Sequence, residues 1–183
     1  KKDKWITNEV SRNLVHLLRS KYDCILSTSR SINQDDSLLN CRIDGLKNNK
    51  PDLFIIDLKL KLKKKLSLNK YLKIRKTFII TSKTHISKTP VYKKLGYKII
   101  FVNKLENKND LNFLYKKTYK MGYSRMLIET GLTFLNNLIK NKMINELYIF
   151  KNKHLRRSPC RITIGKEPWS LAELLKKDTH TIF

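Results

Sequence analysis

The chain has 183 residues, 40% hydrophobic and 30% charged, which is enough to close one domain around a core and too apolar for a disordered segment. Its 40 Lys and Arg against 15 Asp and Glu give a formal charge of +25, a balance that favours encounter with anions such as phosphorylated metabolites, dinucleotides or nucleic acid. No apolar run nears the ~20 residues that span a bilayer, and no apolar signal segment opens the chain. Three separated cysteines (Cys24, Cys41 and Cys160) give no disulfide framework or zinc motif and fit a reducing cytoplasm.

The lysines are spread through every segment together with Asn and Ile, as an AT-rich coding bias produces. Neither an aromatic platform nor a recognition helix accompanies them, so nucleic acid is the lesser reading of the charge. The chain starts without a Met and is expected to be a piece of something longer.

In chain order, Asn8–Ser20 is the first predicted helix, with Val10, Leu14, Leu17 and Leu18 on one face and Glu9 at its positive end. A short strand follows over Cys24–Ser27, then a polar loop over Ser31–Asn40. Gly45 and the lysines after it mark a surface loop. Asp52–Leu58 is a continuous apolar run, the mark of a buried strand. Lys59–Lys73 alternates Leu and Lys and suits a half-buried edge or a loose loop. Thr77–Thr81 and Lys98–Val102 are further buried strands. Asp110–Met121 is a helix stopped by Gly122. Arg125–Glu129 is a strand, Leu132–Asn141 a helix and Glu146–Phe150 a strand. A last amphipathic helix is expected over Trp169–Lys177. Alternating strands and helices predict an α/β domain, a mostly parallel sheet with helices on both faces.

Several chemistries are excluded. GxGxxG, GxxxxGK[ST] and the HxE…PCxxC deaminase pattern are all absent. His16, His85, His154 and His180 have no ligand spacing, so no metal site is expected and they are assigned to surface or packing. In open α/β sheets, ligands bind where strands end and helices begin. Two places qualify. The turn Glu129–Thr130–Gly131 would offer the N–H groups of Gly131, Leu132 and Thr133 to a phosphate, or serve simply as a helix start. The block Ser29–Arg42 carries Ser29, Ser31, Asp35, Asp36 and Arg42 after Arg19. Two arginines and hydroxyls suit a phosphate and a carboxylate suits a ribose, unless this is an ordinary Asx-type turn.

Taken together, WIT, a helix ending LLR, a strand, then S–DD–L–R resemble the reductase domain of the bacterial bifunctional riboflavin-biosynthesis enzyme. KPDLFIIDLKLKL and MLIETGLTFLNNLIKNKMINELYIF continue the likeness, which runs from Trp5 to about Leu155. The resemblance implies a dihydrofolate-reductase-like fold and a homodimer. It implies NADPH-dependent reduction of 5-amino-6-(5-phosphoribosylamino)uracil, whose ribosyl side chain becomes ribityl. By that resemblance Arg19 and Arg42 meet the phosphate of this aminopyrimidine, Leu39 backs it, and Glu129 and the position of Asp3 belong to the substrate side. Trp5, Ser31, Asp35 and Leu58 fall at cofactor positions, as do Gly131, Leu132, Thr133, Phe134, Leu135, Asn136 and Asn137. Asp35 is the candidate for proton movement at the opened sugar. Hydride transfer needs two ligands held in orientation and no nucleophile, which suits a chain without a catalytic triad.

Five positions depart from the family pattern: Asp3 and Leu58 stand where Ser is usual, Thr130 replaces Gly or Ala, Ser37 replaces Pro, and Arg30 replaces a small residue. They bear on efficiency and cofactor contacts more than on fold. The family's first core strand and a deaminase domain are expected upstream of Lys1. Two other functions stay open: a reductase of the same superfamily with a different substrate, and a basic nucleic-acid or phosphometabolite-binding domain in which reduction has decayed.

Overall fold

A computed structural model describes residues 9–46, 51–148, 162–164 and 167–169. The chain divides into two compact units, one formed by residues 16–131 and the other by 1–15 with 132–183.

The larger unit is built on one parallel sheet. Its strands are β1 (Cys24–Thr28), β2 (Asp52–Ile56), β3 (Thr77–Ser82), β4 (Lys98–Val102) and β5 (Met126–Ile128), in the spatial order β4-β3-β2-β1-β5. Pairing is in simple register, with Leu26 opposite both Phe54 and Ile128. The strands form where the sequence offers unbroken Ile, Leu, Phe and Val, because a parallel strand is covered on both faces. Ile25, Leu26, Leu53, Phe54, Ile55, Ile79 and Ile80 are fully buried.

The chain steps outward from β1 to β4 and then returns past β1 to place β5 on the other side. Because such crossovers are right-handed, the outgoing and returning helices cover opposite faces of the sheet. The returning helix α4 (Lys108–Lys120) opens with a capping box between Asn107 and Asp110 and buries Leu111, Leu114 and Thr118; Gly122 follows it at φ +94°.

Three stretches refine the sequence expectations. The loop expected over Ser31–Asn40 is in part helical, because Ser29–Asp35 form a helix (α2): Thr28 caps its start by accepting from the Ser31 N–H, and Asp36 closes it at φ 45°. Of the two readings for Lys59–Lys73, edge or loop, the structure shows a loop, with a 3-10 turn over Ser67–Tyr71. Between β3 and β4, a 3-10 turn over Lys83–Lys88 leads into helix α3 (Thr89–Leu95), which starts on Pro90 and ends on Gly96 at φ +107°. Its Tyr92 is buried and donates to the Leu62 carbonyl.

Helix α1 (Glu9–Lys21) feeds β1; Leu18 is its buried residue, while Val10 is exposed. In the smaller unit, α5 (Leu132–Lys140) buries Leu138 and Ile139. Residues 146–148, read as the start of a strand, are irregular. Trp169, read as the start of a helix, ends strand β7 (Glu167–Trp169), which pairs antiparallel with β6 (Ile162–Ile164). The rest of that expected helix, and Asp3, Trp5, Cys160, His154 and His180, lie outside the described residues. Among the described residues no helix is long and apolar enough to cross a membrane.

Candidate active site

The carboxyl ends of β1 and β5 lie side by side, at the point where the chain's direction of travel across the sheet reverses. Crevices form at such points because the connections leave in opposite directions. The Glu129 N–H donates to the Leu26 carbonyl at 3.0 Å, extending the β1–β5 ladder by one bond and fixing the side chain that follows β5.

Glu129 meets Arg19 from the last turn of α1. Arg19 Nε donates to Oε1 and Nη2 to Oε2, both at 2.7 Å, the two-pronged geometry that planar guanidinium and carboxylate groups favour. Nη1 donates to the Asn40 carbonyl at 3.1 Å. A guanidinium carries five N–H donors, so three fixed bonds leave two for a ligand. The pair is mostly shielded, with the Arg19 and Glu129 side chains 12% and 22% exposed.

His16 joins the same carbonyl, with Nδ1 2.9 Å from the Asn40 oxygen. Only a protonated Nδ1 can make that bond, so the 3.5 Å approach of Arg19 Nη1 to the same nitrogen is proximity without a second hydrogen bond. Burial lowers the His16 pKa below its usual value, and the neighbouring Arg19 and Arg42 lower it further. The imidazole is therefore neutral near pH 7.

A hydroxyl cluster stands at the end of β1. Thr28 and Ser31 are 3.0 Å apart, Thr130 Oγ1 reaches Thr28 Oγ1 at 3.5 Å, and the Gly131 N–H donates to Ser31 Oγ at 3.2 Å. Ser31 and the 129–131 turn are thus brought together. Gly131 differs in one respect: its N–H, offered to a phosphate in the sequence reading, is already bonded. A Cβ on Gly131 would meet only Ser31 Oγ at 3.8 Å, so the backbone face there is open.

The other residues singled out by the sequence are placed as follows. Leu39 is buried with φ 47°. Arg42 is exposed, close enough to His16 to act on its charge. Asp35 is exposed at the far end of α2 and joins none of the Arg19–Glu129 bonds. Asp36 instead accepts from the Ser67 N–H and hydroxyl. Ser29 does not face a phosphate; it donates to buried Asp57 at 2.9 Å. Leu58 contributes its carbonyl to Ser82 N–H and the Thr81 hydroxyl at the exit of β2. Arg30 lines a shallow depression with Ser29, Asn33, Gln34 and Lys61. In the smaller unit, Leu132–Asn137 form most of α5, and the Asn136 carboxamide oxygen there is buried with no hydrogen-bond partner among the described residues.

Four contributors escaped the sequence reading: His16, Thr28, Asn40 and Asp57. Asp57 had a visible signal, a carboxylate directly closing a buried apolar strand. It accepts from Ser29 and from the Lys61 and Leu62 N–H groups at 2.7–2.9 Å, tying the start of α2 to the exit of β2.

The unit is thus a dihydrofolate-reductase-like α/β domain with a polar, cation-bearing edge at its strand ends. The chain belongs to the RibD C-terminal domain family, whose model matches residues 1–152. It is 30% identical to riboflavin biosynthesis protein RibD of Buchnera aphidicola subsp. Baizongia pistaciae over 176 residues, covering 81% of this chain and 42% of that protein. It is 24% identical to RibD of Actinobacillus pleuropneumoniae over 147 residues, covering 80% of this chain and 39% of that protein. The chain therefore spans about two-fifths of the length of these relatives. The RibD structure from Acinetobacter baumannii shares the fold, with a TM-score of 0.63 at 18% identity over 79% of this chain and 38% of that one.

Proposed function

We propose that this chain reduces 5-amino-6-(5-phosphoribosylamino)uracil with NADPH, converting the ribosyl side chain to ribityl in riboflavin biosynthesis, as a homodimer in the cytoplasm. The observation that carries this reading is the Arg19–Glu129 pair, held at the carboxyl ends of β1 and β5 in a chain of the RibD C-terminal family. Glu129 fixes the guanidinium plane, and two of its N–H donors stay available to a substrate phosphate. Arg42, Leu39 and Glu129 complete the substrate side. The position of Asp3 belongs to the same group.

The residues fit a dinucleotide. Ser31, Thr28 and Thr130 present interchangeable donors and acceptors beside an open glycine face. The Gly131–Asn137 segment is assigned to the cofactor by the family resemblance, and among the described residues the Asn136 carboxamide oxygen in it has no hydrogen-bond partner. Trp5, Asp35 and Leu58 are the further cofactor residues of this reading. When bound, the reduced nicotinamide supplies the hydride. Arg19 and Arg42 hold the substrate by its phosphate, so that orientation supplies much of the rate. Asp35, exposed at the end of α2, takes the proton-moving role at the opened sugar.

The test is oxidation of NADPH by the full-length protein given the aminouracil ribosyl phosphate. Turnover is expected with the natural sequence, and Asp35→Ala is expected to lose it while remaining folded. A folded protein that oxidises no NADPH with this substrate would sink the reading. Binding to DNA or RNA that falls steeply with salt would favour a nucleic-acid role instead.

A further inference from the structure

Arg75, between the 3-10 turn and β3, is 5% exposed, and among the described residues no carboxylate pairs with it. Its guanidinium instead faces carbonyls. Nη1 donates to Leu39 O at 2.6 Å and reaches Pro51 O at 3.4 Å, Nη2 donates to Leu38 O, and Nε has no partner among the described residues. Burial lowers its pKa to about 10, with the Arg19 charge as the next cause. Where filling space is the only need, an apolar side chain is usually as good as a buried charge or better. The arginine must therefore be matched to what it holds.

What it holds is a strained segment. The carbonyls of Leu38, Leu39 and Asn40 are taken in succession, the first two by Arg75 and the third by Arg19 and His16. Between them Leu39 sits at φ 47°, a region a leucine avoids. The Asn40 carboxamide leans on Tyr71 at 3.4 Å, and the Arg75 guanidinium lies 5.9 Å from the same ring. The two arginines thus hold three successive carbonyls of the segment.

We propose that Arg75 is a positioning residue for substrate: it holds residues 38–40 in their strained path so that Leu39 and Arg42 face the phosphorylated pyrimidine. This rests on the substrate side assigned above. It predicts a selective defect, because among the described residues the bonds of the Arg75 clamp go to Leu38, Leu39 and Pro51 and none reaches the hydroxyl cluster.

The experiment compares Arg75→Met and Arg75→Lys in the full-length protein. Arg75→Met is expected to raise KM for the pyrimidine phosphate about tenfold or more, as loss of uniform binding does. KM for NADPH should stay within about twofold, and Arg75→Lys should recover part of the loss by restoring one charged donor. Amide exchange over residues 38–42 is expected to speed up in Arg75→Met while β1 and β2 keep their protection. A lower kcat with both KM values unchanged would mean a merely structural role and overturn the inference. Unchanged exchange over 38–42 would overturn it as well, whether or not the protein turns over. An unsubstituted protein inactive with this substrate would instead sink the proposed reaction, leaving exchange to judge the clamp.

Discussion

The amino ends of the central sheet and the carboxyl-end edge formed by β1 and β5 handle polar groups differently. At the amino ends of the strands, carboxylates are consumed by local partners. Asp23 accepts from the Ser124 N–H and hydroxyl and the Arg125 N–H, and Asp52 from the Lys76 N–H and the Tyr123 hydroxyl. Tyr123 then packs edge-on to Phe54 and Phe78, which stack 4.5 Å apart. At the carboxyl ends, Arg19 keeps spare donors, the Thr28–Ser31–Thr130 hydroxyls can turn, and His16 is held uncharged near pH 7. The amino ends close the sheet; at the carboxyl ends Asp57 is tied up in the same way by Ser29 and the Lys61 and Leu62 N–H groups, and the spare valence is confined to the β1–β5 edge.

The sharpest way to break this contrast is Arg19→Met. It is expected to cut kcat/KM by about 100-fold, equivalent to roughly 2.7 kcal/mol, the scale of a lost charge-assisted contact. It should also leave Glu129 unpaired and lower stability by about 2 kcal/mol, less than for a fully buried pair because both side chains are partly wet. Steady-state kinetics with urea unfolding separates the two effects. Asp57→Asn comes next: its amide must point a donor at one of three existing donors, costing about 2 kcal/mol in urea unfolding. Asp23→Asn, at the closed end, is expected to cost about 1 kcal/mol and to leave both KM values unchanged. A KM change there would erase the distinction between the ends.

The smallest effect concerns pH. The His16 pKa is lowered in the folded protein, so the unfolded chain takes up its proton first as pH falls. Stability contributed by neutral His16 is therefore present above the unfolded value and declines as pH drops below about 6.5. His16→Asn keeps a donor near the Asn40 carbonyl and removes the titration. The pH dependence of the urea midpoint should flatten in that window, and an unaltered slope would remove His16 from the account.

How much of this was legible in the sequence depended on range. The strands declared themselves because a two-face-covered strand is an uninterrupted apolar run, as in Leu53–Ile56 and Phe78–Ile80. Helix α2 did not, since SRSINQD offers only Ile32 to a hydrophobic pattern. Its Ser29, Asn33 and Asp36 recur at helical spacing, yet they bond to Asp57, to Lys61 and Lys63, and to Ser67, some thirty residues away. Helix α3 carried ordinary punctuation, Pro90 at its start and Gly96 past its end, and was passed over because only Tyr92 and Thr89 point inward. At the site, Arg19, Ser31 and the Glu129–Gly131 turn stood out by residue type and strand-end position, and the family resemblance supplied their individual roles. His16 and Asn40 meet through a backbone carbonyl, which no side-chain pattern encodes.

The pairing of β5 with β1 has a consequence for the order of assembly. Arg19 and Glu129 are 110 residues apart in the chain. Closing so long a loop costs entropy before any contact repays it, and such contacts tend to form late in folding. The sheet from β1 to β4 can grow by successive neighbours, whereas the ligand-facing edge exists only once the last strand has docked. Weakening Glu129 should therefore speed unfolding and leave the refolding rate almost untouched, so a nascent or partly folded chain carries the scaffold without the site.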